Sequence, residues 1–121
     1  MKPIFTEKAP KPVGPYSQAV KSNGFLFISG QLGVDTEGHV PDTIEGQTEQ
    51  CIKNIKSILE HEGLTLENVV KATVFLTDMG NFSQMNSVYE KYFTGKPARA
   101  AIGVALLKNF KIEIEVIASY E

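Results

Sequence analysis

The stretch GKPARAAIGVALL, residues 95–107, and the stretch KIEIEVIASY, residues 111–120, end the chain with a period of two. Such alternation is the pattern of a strand that buries one face. It predicts two final strands, residues 99–106 and 111–120. In the last strand, one row is predicted to face the core, namely Ile112, Ile114, Val116 and Ala118, while the opposite row comprises Glu113, Glu115, Ile117 and Ser119.

Arg99 is the only arginine of the chain, beside eleven lysines. Alternation places it in one row with Ala101, Gly103 and Ala105, and we predict that this row and one glutamate of the last strand share the face without helices. The small side chains leave a hollow, which suits a small carboxylic acid because a guanidinium grips a carboxylate with two hydrogen bonds. An intersubunit salt bridge between Arg99 and a glutamate explains the same pattern, and composition and spacing alone favour that structural role.

Periodicity upstream of these strands predicts two helices and three further strands. The first helix begins at a cap, Asp42 or Thr43, and stops at Gly63; the second begins near Asn81 and ends by Gly95. The strands are predicted at residues 16–20, at residues 25–29 up to Gly30, and at residues 69–77. In the last of these, one row comprises Val70, Ala72, Val74 and Leu76. Ser22, Asn23 and Gly24 predict a hairpin between the first two.

The order β-β-α-β-α-β-β predicts one α+β domain, residues 1–121, with a mixed β-sheet and two helices packed on one face. No element remains to cover the other face, although FLFIS at residues 25–29 is apolar on both sides. Phe75 and Ile117 also point away from the helices. Because water is not left against such a surface, the sequence predicts self-association through the uncovered sheet.

Composition excludes several classes of protein. The 121 residues fit one domain, and 42% apolar and 21% charged residues are typical of a globular chain. A net charge of -2 gives no general attraction to nucleic acid or anionic membranes. The apolar runs are too short for a membrane span or a signal peptide, and Cys51 is the only cysteine. We therefore expect a soluble, cytoplasmic protein.

Seven blocks of sequence, in order along nearly the whole chain, carry a resemblance to a known family. They are GPYSQAV, FISGQLGVD, NIKSILEHEGL, VVKATVFLTDM, MNSVYEKYF, KPARAA and KIEIEVIASYE. The chain resembles the reactive-intermediate deaminase (Rid, or YjgF) family. The resemblance implies a chorismate-mutase-like (ferredoxin-like) fold and a homotrimer with active sites between subunits. It also implies hydrolysis of 2-imino acids and their enamine tautomers, released by pyridoxal-phosphate enzymes, to 2-oxo acids and ammonia.

The resemblance also assigns site residues. Arg99 matches the arginine of the family's PAR motif, which binds the substrate carboxylate, and Glu115 matches the group that orients or deprotonates a water. Three positions match residues that line the pocket: Tyr16, Ser29 and Asn86. Many relatives have cysteine where this chain has Ala101, so a thiol role is excluded and a backbone N–H contact with the carboxylate remains. Asn86 lies on or beside a packed helical stripe, so a structural role is equally compatible with its position.

Two other functions stay open. One is a regulatory trimer that binds small carboxylic acids without turnover; the other is an endoribonuclease or translation inhibitor, as some relatives have been described. Glu115 favours catalysis, because a pure carboxylate receptor gains nothing from a second anion. The lack of a basic stripe argues against action on nucleic acid. His39 and His61 lack partners at metal spacing and Cys51 lies on an apolar helical stripe, so we predict no metal and no organic cofactor.

Overall fold

The structure, a computed structural model, describes all 121 residues. It contains one six-stranded sheet and two α-helices. The strands are β1 (Lys2–Ile4), β2 (Ala19–Ser22), β3 (Phe25–Leu32), β4 (Val69–Leu76), β5 (Ala98–Gly103) and β6 (Ile112–Ser119). The helices are α1 (Ile44–His61) and α2 (Phe82–Tyr92). Neither helix has both the length and the apolar character that crossing a bilayer requires.

The sheet has the order β1-β2-β3-β6-β4-β5, so the last strand of the chain lies in its interior. Strands β4 and β5 are parallel and joined through α2, whereas all other neighbours are antiparallel. Both helices pack on one face, where the inward rows of the strands form the core with the apolar stripes of the helices. The predicted α+β class, with a mixed sheet covered on one side, is confirmed.

The local signals for the first hairpin and the first helix are also confirmed. Asn23 and Gly24 have positive φ values, 53° and 81°, as a two-residue turn between β2 and β3 requires. Thr43 caps α1, because its hydroxyl accepts a hydrogen bond from the N–H of Gly46 at 3.0 Å. Gly63 follows the helix end with φ 72°.

The face of the sheet opposite the helices is apolar and uncovered in the single chain. Phe25, Phe27 and Ile102 are 39%, 44% and 45% exposed on it. Phe75 and Ile117 lie beside them, paired with Ile102 and Phe27 respectively. The predicted bare face is therefore present, and the homotrimer that would bury it stays a prediction.

Several predicted strand limits were wrong near the N-terminus. β1 was not predicted, and β2 begins at Ala19, so Tyr16 precedes the strand. Just before β2, the buried side chain of Gln18 accepts from the N–H of Thr6 and donates to the carbonyls of Thr6, Ala9 and Pro10. These side-chain hydrogen bonds hold the segment before β2, and no periodicity signals them.

Irregular pairing explains two further corrections. β3 does not stop at Gly30 but continues to Leu32, because a register shift between Ile28 and Gln31 absorbs the glycine. A similar shift between Val69 and Lys71 turns Val70 outward, 44% exposed, and puts Val69 in the buried row instead. In addition, β5 ends at Gly103 rather than at residue 106.

The predicted face of Arg99 was wrong. In the parallel register of β5 with β4, Arg99 pairs with Ala72 and Ala101 with Val74, and both partners are fully buried beneath the helices. Arg99 therefore lies on the helix side of the sheet. Glu115 pairs with Thr73 and lies on the opposite face. Alternation fixes the spacing within a row, but only the pairing of the edge strand fixes which face the row takes.

Gly33 permits the close approach of the chain after β3 to α1. A β-carbon here would lie 2.6 Å from Cβ and 2.8 Å from Cα of Gln47, so backbone atoms block it. We expect Gly33→Ala to lower the free energy of unfolding by about 1–3 kcal/mol, the usual cost of overpacking, measured by urea denaturation. Gly14→Ala is the matched control, because its methyl would meet only the Tyr16 ring at 3.5 Å. Equal stability of the two variants would contradict this expectation.

Candidate active site

Arg99 lies at the edge of the sheet with its side chain against α2. Its Nη1 donates a hydrogen bond to Oδ1 of Asn86 at 2.6 Å. The central guanidinium carbon lies 4.8 Å from the ring centre of Tyr89 and 5.5 Å from that of Phe82. Phe82, Asn86 and Tyr89 are spaced by four and three residues, so they share one helix face. Parallel pairing of β5 turns Arg99 towards that face.

The guanidinium has no carboxylate partner within the chain. The only ion pair joins Lys53 and Glu49 on α1, at 3.4 Å. Arg99 is exposed, and the hydrogen bond to Asn86 occupies one of its five N–H groups. Asn86 is therefore engaged with Arg99, and a direct contact with substrate stays a prediction. A salt bridge to a glutamate of another subunit also stays open.

Ala101 lies one step further along the same row of β5. It is half-buried and packs against the edge of the core. Its methyl group is small, so Ala101 itself fills little of the space next to Arg99. Because β5 pairs only with β4, part of its backbone hydrogen-bonding capacity is left unpaired at the sheet edge. This edge can offer an N–H group to a ligand beside the guanidinium.

Two glutamates lie in one row on the opposite face. Glu115 is exposed, whereas Glu113 is half-buried against Gly30, where a β-carbon would lie 2.7 Å from the carboxyl carbon. Burial raises the pKa of Glu113, and the charge of Glu115 raises it further. The sequence analysis placed Glu113 in this row but gave it no role. Two adjacent carboxyl groups with different environments are a common arrangement for acid–base chemistry.

Glu113 should also affect stability in a pH-dependent way. Because its folded-state pKa is raised, the folded protein holds this proton more tightly than the unfolded chain, so stability falls as the pH rises from about 4.5 through the folded pKa. We expect Glu113→Gln to raise the melting temperature at pH 7 and to leave it nearly unchanged at pH 4. Glu60→Gln, on the exposed side of α1, is the control. A gain of equal size at both pH values would contradict the assignment.

Tyr16 and Ser29 lie on the same side of the molecule as Gly30. Tyr16 is 50% exposed and lines, with Gly30, a cavity of about 430 Å³ at the end of β3. The hydroxyl of Ser29 donates to the carbonyl of Ser17 at 2.6 Å. Ser29 thus holds the segment that carries Tyr16 against β3. A direct contact of Ser29 or Tyr16 with a ligand stays a prediction.

The predicted residues therefore form two groups rather than one site. We define the arginine half-site as Arg99, Asn86 and Ala101, and the glutamate half-site as Glu113, Glu115, Gly30, Ser29 and Tyr16. The strand residues that define them, Arg99 and Glu115, lie on opposite faces of the sheet. A ligand that contacts both Arg99 and Glu115 would need half-sites of two different chains, or a large change of the edge strand.

The remaining candidates lie elsewhere. Cys51 is fully buried in the core, as predicted, and burial strongly raises the pKa of its thiol. His39 and His61 are exposed, and no three His, Cys, Asp or Glu side chains meet in a group that could hold a metal ion. A second cavity, about 490 Å³, lies between Pro41 and Lys111 and includes none of the predicted residues.

Comparison of the sequence with known proteins identifies relatives over nearly its full length. Residues 6–120 match the Ribonuc_L-PSP family, described as endoribonuclease L-PSP. A RutC family protein of Pyrococcus horikoshii is 53% identical over 98% of this chain and 97% of its own. The chloroplastic Reactive Intermediate Deaminase A of Arabidopsis thaliana is 47% identical over 96% of this chain and 64% of its own.

Solved structures agree with this assignment. The YjgF gene product of E. coli is 41% identical and superposes with a TM-score of 0.95 over 100% of both chains. E. coli TdcF with bound serine is 36% identical and also superposes with a TM-score of 0.95 over 100% of both chains. The family match, the identities and the shared fold are mutually consistent. The chain belongs to the Ribonuc_L-PSP (YjgF/RidA) family, which includes proteins named reactive intermediate deaminases.

Proposed function

We propose that this protein hydrolyses reactive 2-imino acids and their enamine tautomers to 2-oxo acids and ammonia. The proposed substrates are 2-aminoacrylate, its tautomer 2-iminopropanoate, and 2-iminobutanoate. The active unit is a homotrimer in which an arginine half-site of one chain faces a glutamate half-site of the next. No metal or organic cofactor takes part in the proposed reaction.

The observation that carries the proposal is the free guanidinium of Arg99. It is exposed, oriented by Asn86 and without an internal counter-ion, so it is available for a ligand carboxylate. The structure of the E. coli relative TdcF contains bound serine, and serine carries a carboxylate at C1, next to C2, as the proposed substrates do. The name of the Arabidopsis relative supports deamination of reactive intermediates as the general activity.

In the proposed mechanism, Arg99 binds the substrate carboxylate and a backbone N–H near Ala101 supports it. Glu115 accepts a proton from a water as the water oxygen forms a bond to C2 of the iminium. In the resulting carbinolamine, Glu115 returns this proton to the nitrogen and takes up the hydroxyl proton. The C–N bond then breaks as the C=O bond of the 2-oxo acid forms, ammonia leaves, and Glu115 releases the last proton to solvent. General acid–base assistance of this kind contributes about 10²–10⁴-fold. A protonated imine is already electrophilic, so orientation and one base suffice.

The uncovered sheet face supports the trimer. Phe25, Phe27 and Ile102 together present an apolar surface that a neighbouring chain would bury, on the same face as Glu115. Packing through this face would bring side chains of a neighbouring chain next to the glutamate half-site. The edge strand β5 of a neighbour carries the complementary Arg99. Light scattering at micromolar concentration tests the trimer, and a monodisperse monomer would contradict it.

Two other activities remain alternatives. Serine bound to TdcF is also compatible with a regulatory trimer that binds carboxylic acids without turnover. The family description names an endoribonuclease, although this chain has a net charge of -2. The predicted cytoplasmic location stays a prediction, since relatives are described as chloroplastic and mitochondrial.

The deciding experiment couples the protein to a threonine dehydratase and traps the released imine with semicarbazide. The proposal expects faster loss of trappable imine, with 2-oxobutanoate and ammonia formed in equal amounts. The Arg99→Ala variant should leave the rate of imine loss at the level without added protein. Binding of 2-oxobutanoate without faster decay would favour the regulatory trimer. Cleavage of RNA that Arg99→Ala abolishes, together with unchanged imine decay, would favour the endoribonuclease.

A further inference from the structure

We propose that Tyr89 is a positioning residue, whose buried ring holds the guanidinium of Arg99 in the orientation that receives a carboxylate. This role rests on the function proposed above and specifies how the carboxylate-binding group is kept in place. Tyr89 does not touch substrate. Its effect passes through Arg99.

The geometry is that of a cation over an aromatic face. The guanidinium carbon lies 4.8 Å from the ring centre of Tyr89, inside the distance of about 6 Å at which such attraction is significant. Phe82 adds a second ring at 5.5 Å. Arg99 is exposed and Tyr89 is only 6% exposed, so the ring is a fixed support below a side chain that faces solvent.

The support is rigid because the ring is itself packed. Tyr89 stacks on Phe93, with 4.4 Å between ring centres and 28° between the planes, and Phe93 is 3% exposed. A free arginine side chain loses rotamer freedom when it binds a ligand, and a guanidinium already held in place loses less. A fixed platform beneath Arg99 thus increases affinity without touching the ligand.

Asn86 alone does not fix this orientation. Its single hydrogen bond to Nη1 restrains one corner of the guanidinium and leaves rotation about that contact. The ring face adds the second restraint, which defines the plane of the group. With both in place, the remaining N–H groups point in a constant direction, as bidentate binding of a carboxylate requires.

The ring, rather than the hydroxyl, carries the role. The Tyr89 hydroxyl is buried and has no hydrogen-bond partner. An unpaired buried hydroxyl is destabilising, so Tyr89→Phe should keep the platform and raise the melting temperature. Tyr89→Leu keeps an apolar side chain but removes the aromatic face. Tyr89→Phe thus separates the ring from the hydroxyl, and Tyr89→Leu tests the aromatic face while an apolar side chain stays in the core.

The first readout uses the fact that Arg99 is the only arginine. With isotope-labelled arginine, the NMR spectrum contains one guanidinium signal, and protons above a ring are shifted upfield. We expect an upfield-shifted Nε–H signal in the wild type and in Tyr89→Phe, and a clearly smaller upfield shift in Tyr89→Leu, where only the more distant Phe82 ring remains. An unshifted wild-type signal, or the same shift in Tyr89→Leu, overturns the proposal.

The second readout is binding of 2-oxobutanoate by calorimetry. We expect Tyr89→Leu to raise Kd, and KM for the imine, about 10-fold with a smaller change in kcat, and Tyr89→Phe to match the wild type. An unchanged Kd in Tyr89→Leu overturns the proposal even if the NMR signal moves. If the wild type neither binds 2-oxobutanoate nor accelerates imine decay, the proposed function fails, and the NMR signal alone decides whether Tyr89 holds Arg99.

Discussion

Arg99→Lys is expected to lower kcat/KM for imine hydrolysis by about 10²–10³-fold, although it keeps the positive charge. Each charge-assisted hydrogen bond contributes on the order of 1.5–3 kcal/mol, and an ammonium cannot make two parallel ones to a carboxylate. Lysine also holds its hydration shell more tightly and stacks less well over the rings of Phe82 and Tyr89. Steady-state kinetics with a coupled dehydratase measure the loss.

Arg99→Ala should lose as much activity while its oligomeric state stays that of the wild type. The control is Lys91→Ala, which removes an exposed positive charge from α2 without touching Arg99. If Arg99→Ala instead dissociates the assembly and leaves activity per site near the wild-type level, the arginine is a structural bridge between subunits. That result would exclude the proposed role of Arg99 in binding the substrate carboxylate.

Much of the fold could be predicted because its signals are local. The turn at Asn23 and Gly24 requires positive φ at both residues, and the cap at Thr43 requires only a hydroxyl three residues before a free N–H. The alternation in β6 continues without irregularity over eight residues, so its buried row was predicted correctly. The apolar character of both faces of β3 likewise indicated a face that the helices leave uncovered.

The candidate site was less predictable because it depends on pairing between distant strands. The row that contains Arg99 was identified from the sequence, but its face is set by the parallel register of β5 with Ala72 and Val74 of β4. The partnership of Arg99 with Asn86 also depends on α2 lying over β5. One sequence signal for this contact did exist, since Phe82, Asn86 and Tyr89 share a helix face. The same spacing is equally typical of side chains that only pack in the core.

Glu115→Gln is expected to lower kcat about 10²–10⁴-fold, the range of general acid–base assistance, because an amide cannot accept the proton of the attacking water. Binding of 2-oxobutanoate should change much less, since Arg99 provides the carboxylate contact. The glutamine side chain has nearly the same shape, and Glu115 is exposed, so folding is unaffected. Glu121→Gln, at the exposed C-terminus, is the control. A parallel loss of binding would assign Glu115 to the substrate rather than to the water.

Because Arg99 and Glu115 lie on opposite faces of the sheet, Glu115→Gln can also test whether one site takes these two residues from different chains. In the proposed trimer, neither Arg99→Ala nor Glu115→Gln chains alone build a complete site, but a mixed assembly joins the intact Arg99 of one chain to the intact Glu115 of its neighbour. Equal amounts of the two chains, unfolded and refolded together, should recover activity at about a quarter of the sites, the fraction expected for random assembly in a ring. The two variants mixed without unfolding provide the baseline. No recovery after co-refolding, with trimers formed, would mean that both groups act from the same chain, and the edge strand would then have to move for Arg99 to reach the glutamate face.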